Sequence, residues 1–361
     1  MAAISSATAP NPQTESLFFT VLPPEMRNEI YSWALLSSED TSQTYDEDSY
    51  WFRPGFRAPL KARSDLLRTC RLIYLEAQAF LMSEAEHAFW FDRGPPERTR
   101  IEKCKEFFDA LKPKNVEQLI SVRFFTQMYW LEGGDNLNRI FSWPNFRPEK
   151  LTITIRYSDW WFWEDNEPLR MSDNWLRYFR APPSLRTLVL EYETLTWKKS
   201  QMNPIIAHNK QFKLRIRSED NTDEDRKDAY LSAESNPLTE WKWNGPSKLG
   251  GETWQHHGQG DTVEYVVVVD KWKFVQGELP PGDYPRATEY DSDPFDEEED
   301  DFDDYDSDTS QVSDAGSFED DLSEGHQEEA QGEASTVHQF TLSEAEENPH
   351  QGYGPIRLPH I

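Results

Sequence analysis

The chain has 361 residues and a formal net charge of −29, but its acidic residues are concentrated in one segment. Residues 289–347 contain 24 Asp and Glu and no Lys or Arg, whereas the rest of the chain has 42 acidic and 37 basic residues. Neither part carries the clustered Lys and Arg that phosphate binding requires, so composition excludes a nucleic-acid-binding protein.

Cysteine content and hydropathy indicate an intracellular protein. Cys70 and Cys104 are too few for a disulfide framework, and both fall on predicted helices, where a free cysteine packs as a small apolar residue. The most apolar run, residues 265–269, is too short to span a bilayer. Residues 1–16 lack the basic and apolar regions of a signal peptide. We therefore expect a cytoplasmic or nuclear protein that does not associate with membranes.

The first two predicted helices carry the most specific patterns. Residues 1–15 are rich in Ala, Ser, Thr and Pro and are predicted to be disordered. Residues 22–31 read Leu-Pro-Pro-Glu-Met-Arg-Asn-Glu-Ile-Tyr, and a Pro followed by Glu is favourable in the first turn of a helix. Residues 66–77 read Leu-Leu-Arg-Thr-Cys-Arg-Leu-Ile-Tyr-Leu-Glu-Ala, with apolar residues at helical spacing that continue to Leu81. A polar and aromatic loop is predicted over residues 37–62.

Together the two helices resemble the opening of the fungal F-box-like proteins. In that family a Leu-Pro-x-Glu-x-Arg-x-x-Ile-Tyr pattern is followed by a Leu-x-x-Thr-Cys-Arg-x-Ile-Tyr-x-Glu-Ala pattern. The resemblance covers about residues 17–91 and implies an F-box-like helical region, which we assign to residues 16–95. A loop stands where the family places its second helix.

The resemblance also implies a docking site. In F-box proteins the Leu-Pro start and the helix after it contact the small adaptor subunit that bridges to a cullin. By resemblance, the contact residues here would be Leu22, Pro23, Glu25 and Ile30. The alternative is that the apolar stripe of this helix packs inward on the second helix, as most such stripes do.

Residues 96–285 are predicted to form a repeat-like body in which helices and strands alternate. The predicted strands at 119–125, 151–155 and 185–190 begin 32 and 34 residues apart. Such alternation favours a parallel sheet. Further strands at 212–216 and 263–274, in a segment rich in turns, predict antiparallel edge strands. The predicted fold class is therefore α/β, or α+β.

Residues 160–165, which read Trp-Trp-Phe-Trp-Glu-Asp, form a second candidate site. Trp160, Trp161 and Trp163 could bind a protein partner, since Trp is enriched in interface hot spots, or stack on a sugar. The alternative is that these rings fold over the edge of the sheet. Paired carboxylates catalyse glycoside cleavage, but carboxylates adjacent in sequence rarely form such a pair. No phosphate-loop or zinc-ligand spacing is present, so we predict no enzyme, no metal and no cofactor.

Residues 286–361 are predicted to be a disordered acidic tail, because blocks of like charge repel one another. Aromatic residues among the acids would allow this tail to fold on a basic protein; the alternative is a solubilising tail. The sequence as a whole predicts a non-enzymatic adaptor, with substrate recognition for a cullin-type ubiquitin ligase as its specific role. Two alternatives are a scaffold with no ubiquitin link and a carbohydrate-binding protein with an aromatic platform.

Overall fold

A computed structural model describes residues 9–133, 135–218, 225–257 and 260–281. All of these residues belong to one compact unit, Met1–Glu289. The acidic tail predicted over 286–361, and residues 1–8 of the predicted disordered N-terminal segment, lie outside the described residues.

The described residues form ten α-helices and thirteen strands. The helices are α1 (Leu17–Thr20), α2 (Pro24–Ala34), α3 (Arg71–Ala77), α4 (Phe80–Ser83), α5 (Ile101–Asp109), α6 (Pro113–Gln118), α7 (Met128–Glu132), α8 (Asn136–Phe141), α9 (Asn174–Tyr178) and α10 (Lys199–Asn209). The strands are β1 (Ser38–Glu39), β2 (Leu60–Lys61), β3 (Glu86–Phe91), β4 (Ser121–Thr126), β5 (Lys150–Ile155), β6 (Arg180–Ala181), β7 (Thr187–Leu195), β8 (Lys213–Arg217), β9 (Asp225–Ser232), β10 (Thr239–Pro246), β11 (Lys248–Leu249), β12 (Glu252–Thr253) and β13 (Thr262–Gln276). Short 3-10 helices cover Asp65–Arg68, Pro96–Arg98, Tyr157–Asp159, Thr196–Lys198 and Gln255–His257.

Nine of these strands form one mixed sheet. The strand order is β3-β4-β5-β7-β13-β9-β8-β6, and β10 also pairs with β13. Strands β3, β4, β5 and β7 are parallel neighbours, which confirms the parallel layer expected from the alternating helices and strands. Strand β13 is antiparallel to β7, β9 and β10, so the fold is α+β.

The last predicted strand, β13, is antiparallel as expected, but it lies inside the sheet and not at its edge. Strand β13 has β7 on one side, while β10 and β9 pair with successive parts of its other side. Its length of 15 residues leaves room for both partners. The run Val266–Val269 is buried on both faces, as expected for a strand inside a covered sheet.

The second F-box-like pattern does not form one continuous helix. The pattern divides into the 3-10 helix Asp65–Arg68 and α3, and the helical spacing predicted to continue to Leu81 belongs to a separate helix, α4. Cys70 lies between the first two in an extended conformation and is the N-cap of α3, where its Sγ accepts a hydrogen bond from the Ile73 N–H at 3.5 Å. Cys70 therefore does not lie on an apolar helical stripe, whereas Cys104 on α5 is buried as predicted.

The two faces of the sheet are covered differently. Leu188, Leu190 and Tyr192 of β7 face the main apolar core, together with residues of α5, α8 and α10. The loop predicted over 37–62 covers the opposite face. There Phe56 packs edge-on against the rings of Trp90 and Phe125, with centroids 5.7 and 5.0 Å away.

The same loop brings a charged side chain onto the sheet. Arg53 is 3% exposed, and its Nη2 lies 3.6 Å from Glu191 Oε2 and 3.4 Å from Glu193 Oε2. Glu191 Oε2 also accepts hydrogen bonds from Arg123 Nη1 at 2.5 Å and from Thr154 Oγ1 at 2.9 Å. We call Arg53, Arg123, Glu191 and Glu193 the buried charge network.

The two carboxylates of this network respond differently to burial. Burial disfavours the charged form of Glu191, but Arg123 and Arg53 outweigh burial and lower the pKa of Glu191 to about 2. Burial dominates at Glu193 and raises the pKa of that carboxyl, against the attraction of Arg53. A lowered pKa contributes stability that is present above the unfolded value of about 4.3 and is lost at lower pH. The charge of Glu191 therefore stabilises the fold at neutral pH, whereas that of Glu193 opposes it.

We predict that Glu191→Gln lowers the free energy of unfolding at pH 7 by about 3 kcal/mol, because it leaves Arg123 and Arg53 buried with less countercharge. The neighbouring Glu193→Gln is the matched control and should cost clearly less. Urea unfolding of both variants and the wild type at pH 7, and at steps from pH 5 to 2, measures the difference. The Glu191→Gln deficit should shrink as the pH falls. Equal losses at pH 7, or a deficit independent of pH, would contradict the assignment.

Candidate functional site

One cluster of hydrogen bonds joins the two F-box-like patterns. Arg27 Nε and Nη2 donate to the two carboxylate oxygens of Glu76 at 3.0 and 2.8 Å, and the Tyr31 hydroxyl donates to Glu76 Oε2 at 2.8 Å. Arg27 Nη1 also donates to the Leu22 carbonyl at 2.8 Å, which fixes the start of α2. The Arg and Tyr of the first pattern and the Glu of the second therefore hold the two patterns together.

Helix α2 exposes a row of apolar residues that points away from these hydrogen bonds. Tyr31 is fully buried against Phe18 and other residues of a small core. Met26, Ile30 and Trp33, spaced four and three residues apart, are 54%, 40% and 48% exposed and share one side of the helix. The Trp33 Nε1 donates to Glu29 Oε1 at 2.7 Å, which orients the indole. We call Met26, Ile30 and Trp33 the α2 outer face.

The four residues that the resemblance implied for docking lie at the start and along the exposed side of α2. Pro23, Glu25 and Ile30 are exposed, and Leu22 is half-buried. Val21, just before this helix, is also exposed by 67%. Leu22 and Pro23 therefore lie just before α2, and Glu25 and Ile30 lie on it.

The Trp-rich run is divided between core and surface. Trp160 and Trp163 are each 2% exposed. The Trp160 Nε1 donates to the Glu193 carbonyl at 2.9 Å, and the Trp163 ring packs against Trp254 with centroids 4.6 Å apart. These two rings belong to the core, whereas Trp161 is half-buried and reaches the surface.

A buried arginine sets the turn that begins this run. Arg156 is 2% exposed, and its Nε and Nη2 both donate to the Asp159 carboxylate at 2.8 Å. Its Nη1 donates to the carbonyls of Tyr50 and Arg93 at 3.0 and 2.9 Å. Arg156 therefore ties the ends of β3 and β5 to the loop over 37–62 and directs the chain that follows β5.

Trp161 forms one wall of a surface pocket. Its Nε1 donates to Glu132 Oε2 at 2.8 Å, and the Ser172 N–H donates to Glu132 Oε1 at 2.5 Å. The guanidinium of Arg170 lies 4.7 Å from the centroid of the Phe162 ring. The pocket, which we call the Trp161 pocket, is lined by Glu132, Trp161, Phe162, Arg170, Met171 and Ser172.

The histidine pair is engaged within the fold. His256 Nε2 lies 2.5 Å from the Tyr157 hydroxyl, and His257 Nδ1 lies 2.5 Å from the Ser247 carbonyl. Burial lowers the pKa of His256 to about 4. Among the described residues, no group of three or more His, Cys, Asp and Glu side chains is arranged to hold a metal ion. Within the same ranges, none of the helices is both long and apolar enough to cross a bilayer.

No protein-family model, curated protein or solved structure matches the chain. The F-box-like resemblance therefore depends on the two sequence patterns alone and stays a prediction. The α2 outer face and the Trp161 pocket are the two candidate functional surfaces of the described residues.

Several residues that shape these surfaces were not identified from the sequence. Glu191 and Glu193 alternate with apolar residues in a strand, which is a recognisable signal for a charged group on a covered face. Arg53 and Glu132 gave no such signal, because their partners lie far away along the chain. Arg156 pairs with nearby Asp159, but its bonds to the Tyr50 and Arg93 carbonyls also span long stretches of chain. Their roles follow from the tertiary contacts only.

We predict that Glu76→Gln loosens α2 and α3 and lowers stability by about 2 kcal/mol at pH 7, since it weakens hydrogen bonds from Arg27 and Tyr31 to a charged group. The Arg27 hydrogen bond lowers the pKa of Glu76, so its contribution is present above a pH of about 4.3 and declines as the pH falls. Hydrogen exchange of amides in residues 24–34 and 71–77 measures the effect.

Glu29→Gln is the matched control, because Glu29 is exposed and bonds Trp33 on the outer side of α2. Exchange in both helices should stay close to that of the wild type in this variant. Unchanged exchange in Glu76→Gln would mean that the pairing does not hold the two helices together.

Proposed function

We propose that this chain is a non-enzymatic protein-interaction adaptor and that the α2 outer face docks its partner. The exposure of Met26, Ile30 and Trp33 on one side of a single helix carries the proposal. An amphipathic helix binds a groove through residues at this spacing, and a central Trp is a frequent anchor. Internal packing of α2 uses Tyr31 instead, and Met26 and Ile30 stay exposed at the surface.

The specific partner that we propose is the small adaptor subunit of a cullin-type ubiquitin ligase. The residues of the two sequence patterns form two groups, one that supports α2 from inside and one that faces outward, as this role requires. Arg27, Tyr31 and Glu76 support the helix from inside, while Pro23 and Ile30 face outward at its start and middle. In this role the chain recognises a client for ubiquitination in the cytoplasm or nucleus.

A second candidate function is a scaffold with no ubiquitin link. It is favoured by the segment between the two patterns, which covers the sheet through Arg53 and Phe56 where the F-box family has a helix. A cullin adaptor that contacts the missing helix would lose that part of its interface. The α2 outer face would then bind a different protein.

The double variant Met26→Asp/Ile30→Asp tests the docking surface. Both side chains are exposed, so the fold should be retained, which a thermal unfolding curve checks. We expect the variant to lose at least about tenfold in affinity for the purified cullin adaptor subunit in a calorimetric titration, because charged groups would be buried without partners. Leu238→Asp, at a residue 46% exposed elsewhere on the protein, is the control and should bind as the wild type does.

The two candidate functions give different results. If the wild type does not bind the cullin adaptor subunit, the ubiquitin role is wrong. If the proteins that co-purify from cell extract with the wild type are unaffected by the double variant, the α2 outer face is not a docking surface.

A further inference from the structure

The side chains that line the Trp161 pocket are held in place by hydrogen bonds. The Trp161 indole is fixed by its hydrogen bond to Glu132, and Glu132 is fixed in turn by the Ser172 N–H. Because these side chains already hold one orientation, a ligand would lose little free energy in ordering them. The pocket shares no residue with the α2 outer face.

Backbone strain holds an aromatic ring at the rim of the pocket. Phe162 has φ of 50°, in the left-handed region that side chains larger than glycine rarely adopt, and its ring is 46% exposed. Such a conformation costs on the order of 1 kcal/mol and is concentrated at binding sites. This strained conformation does not bury the Phe162 ring, so packing in the core does not explain it. It places the Phe162 ring beside that of Trp161, with centroids 6.1 Å apart and planes tilted by 31°.

The polar groups of the pocket define the kind of ligand. Glu132 supplies a carboxylate and Arg170 supplies a guanidinium, which also pairs with Glu167 at 3.6 Å, so an anion or a cation would each meet a group of its own sign. Both groups can form several hydrogen bonds, and they flank a surface of Trp161, Phe162 and Met171. A purely apolar ligand in this pocket would displace water from Glu132 and Arg170. It would not replace the hydrogen bonds that water makes to these two side chains.

A neutral ligand with one apolar face and a polar rim fits both conditions. We propose that the Trp161 pocket binds a hexopyranose ring, whose C–H face stacks on Trp161 while its hydroxyl groups bond to Glu132 and Arg170. This activity is independent of the proposed adaptor function, because it uses different residues.

Saturation-transfer NMR with the full-length protein tests the proposal. The probes are the methyl glycosides of glucose, mannose, galactose and N-acetylglucosamine, together with N-acetylphenylalaninamide as an apolar competitor. We expect transfer to the ring C–H protons of at least one glycoside. Trp161→Ala should reduce its affinity at least about tenfold, as loss of a stacked ring does at binding hot spots.

Two further variants separate binding from folding. Arg170→Gln changes a side chain that is 56% exposed, so it should retain the fold and still weaken sugar binding severalfold. Trp197→Ala removes an indole that is 53% exposed outside the pocket and should leave binding unchanged. The proposal is overturned if no glycoside binds, if Trp161→Ala and Arg170→Gln bind sugar as the wild type does, or if only N-acetylphenylalaninamide binds.

Discussion

The burial of Arg53 between Glu191 and Glu193 is the interaction on which the arrangement of the chain depends. The segment over 37–62 has little regular structure beyond the short strands β1 and β2. Its position on the sheet is set by this charge contact and by Phe56. An unpaired buried charge costs several kcal/mol. If the segment left the sheet, Glu193 would lose the guanidinium of Arg53 and Glu191 would keep only Arg123. Helix α2 precedes this segment and α3 follows it. The contact of Arg53 with Glu191 and Glu193 therefore also limits where the two helices can lie.

The segment over 37–62 differs from the family that the two sequence patterns resemble. Arg53 and Phe56 contact the sheet from a segment that has no helix, whereas the F-box family has a helix between its two motifs. Helices α2 and α3 share a small core, in which Tyr31, Leu35, Leu67 and Ala77 are buried. With so little apolar area, the pairing of Arg27 with Glu76 carries a large part of their attachment. Because few residues pack around α2, Met26 and Ile30 stay at the surface.

The sequence predicted the parts of the fold that depend on local patterns. The parallel strands β4, β5 and β7 follow from apolar runs separated by helices, and all were found within a few residues of their predicted positions. Local patterns could not predict which Trp side chains of residues 160–165 are buried. Trp160 and Trp163 turn inward because Arg156 holds the preceding turn, and two of its partners, Tyr50 and Arg93, lie 106 and 63 residues away. No local pattern encodes such contacts.

The two candidate surfaces are held by separate contacts, but both are linked to the segment over 37–62. This segment follows α2 in the chain, and its Tyr50 carbonyl bonds to Arg156. The α2 outer face depends on Arg27 and Glu76, whereas the course of the chain into the Trp161 pocket depends on Arg156. Arg156 bonds the Tyr50 carbonyl, three residues before Arg53 in the clamped segment. Two sites are coupled only if a ligand at each prefers a different state of a shared element. Here the shared element is the segment over 37–62, which the buried contact of Arg53 with Glu191 and Glu193 holds in one state. A partner bound to α2 should therefore leave the affinity of the Trp161 pocket for its ligand unchanged.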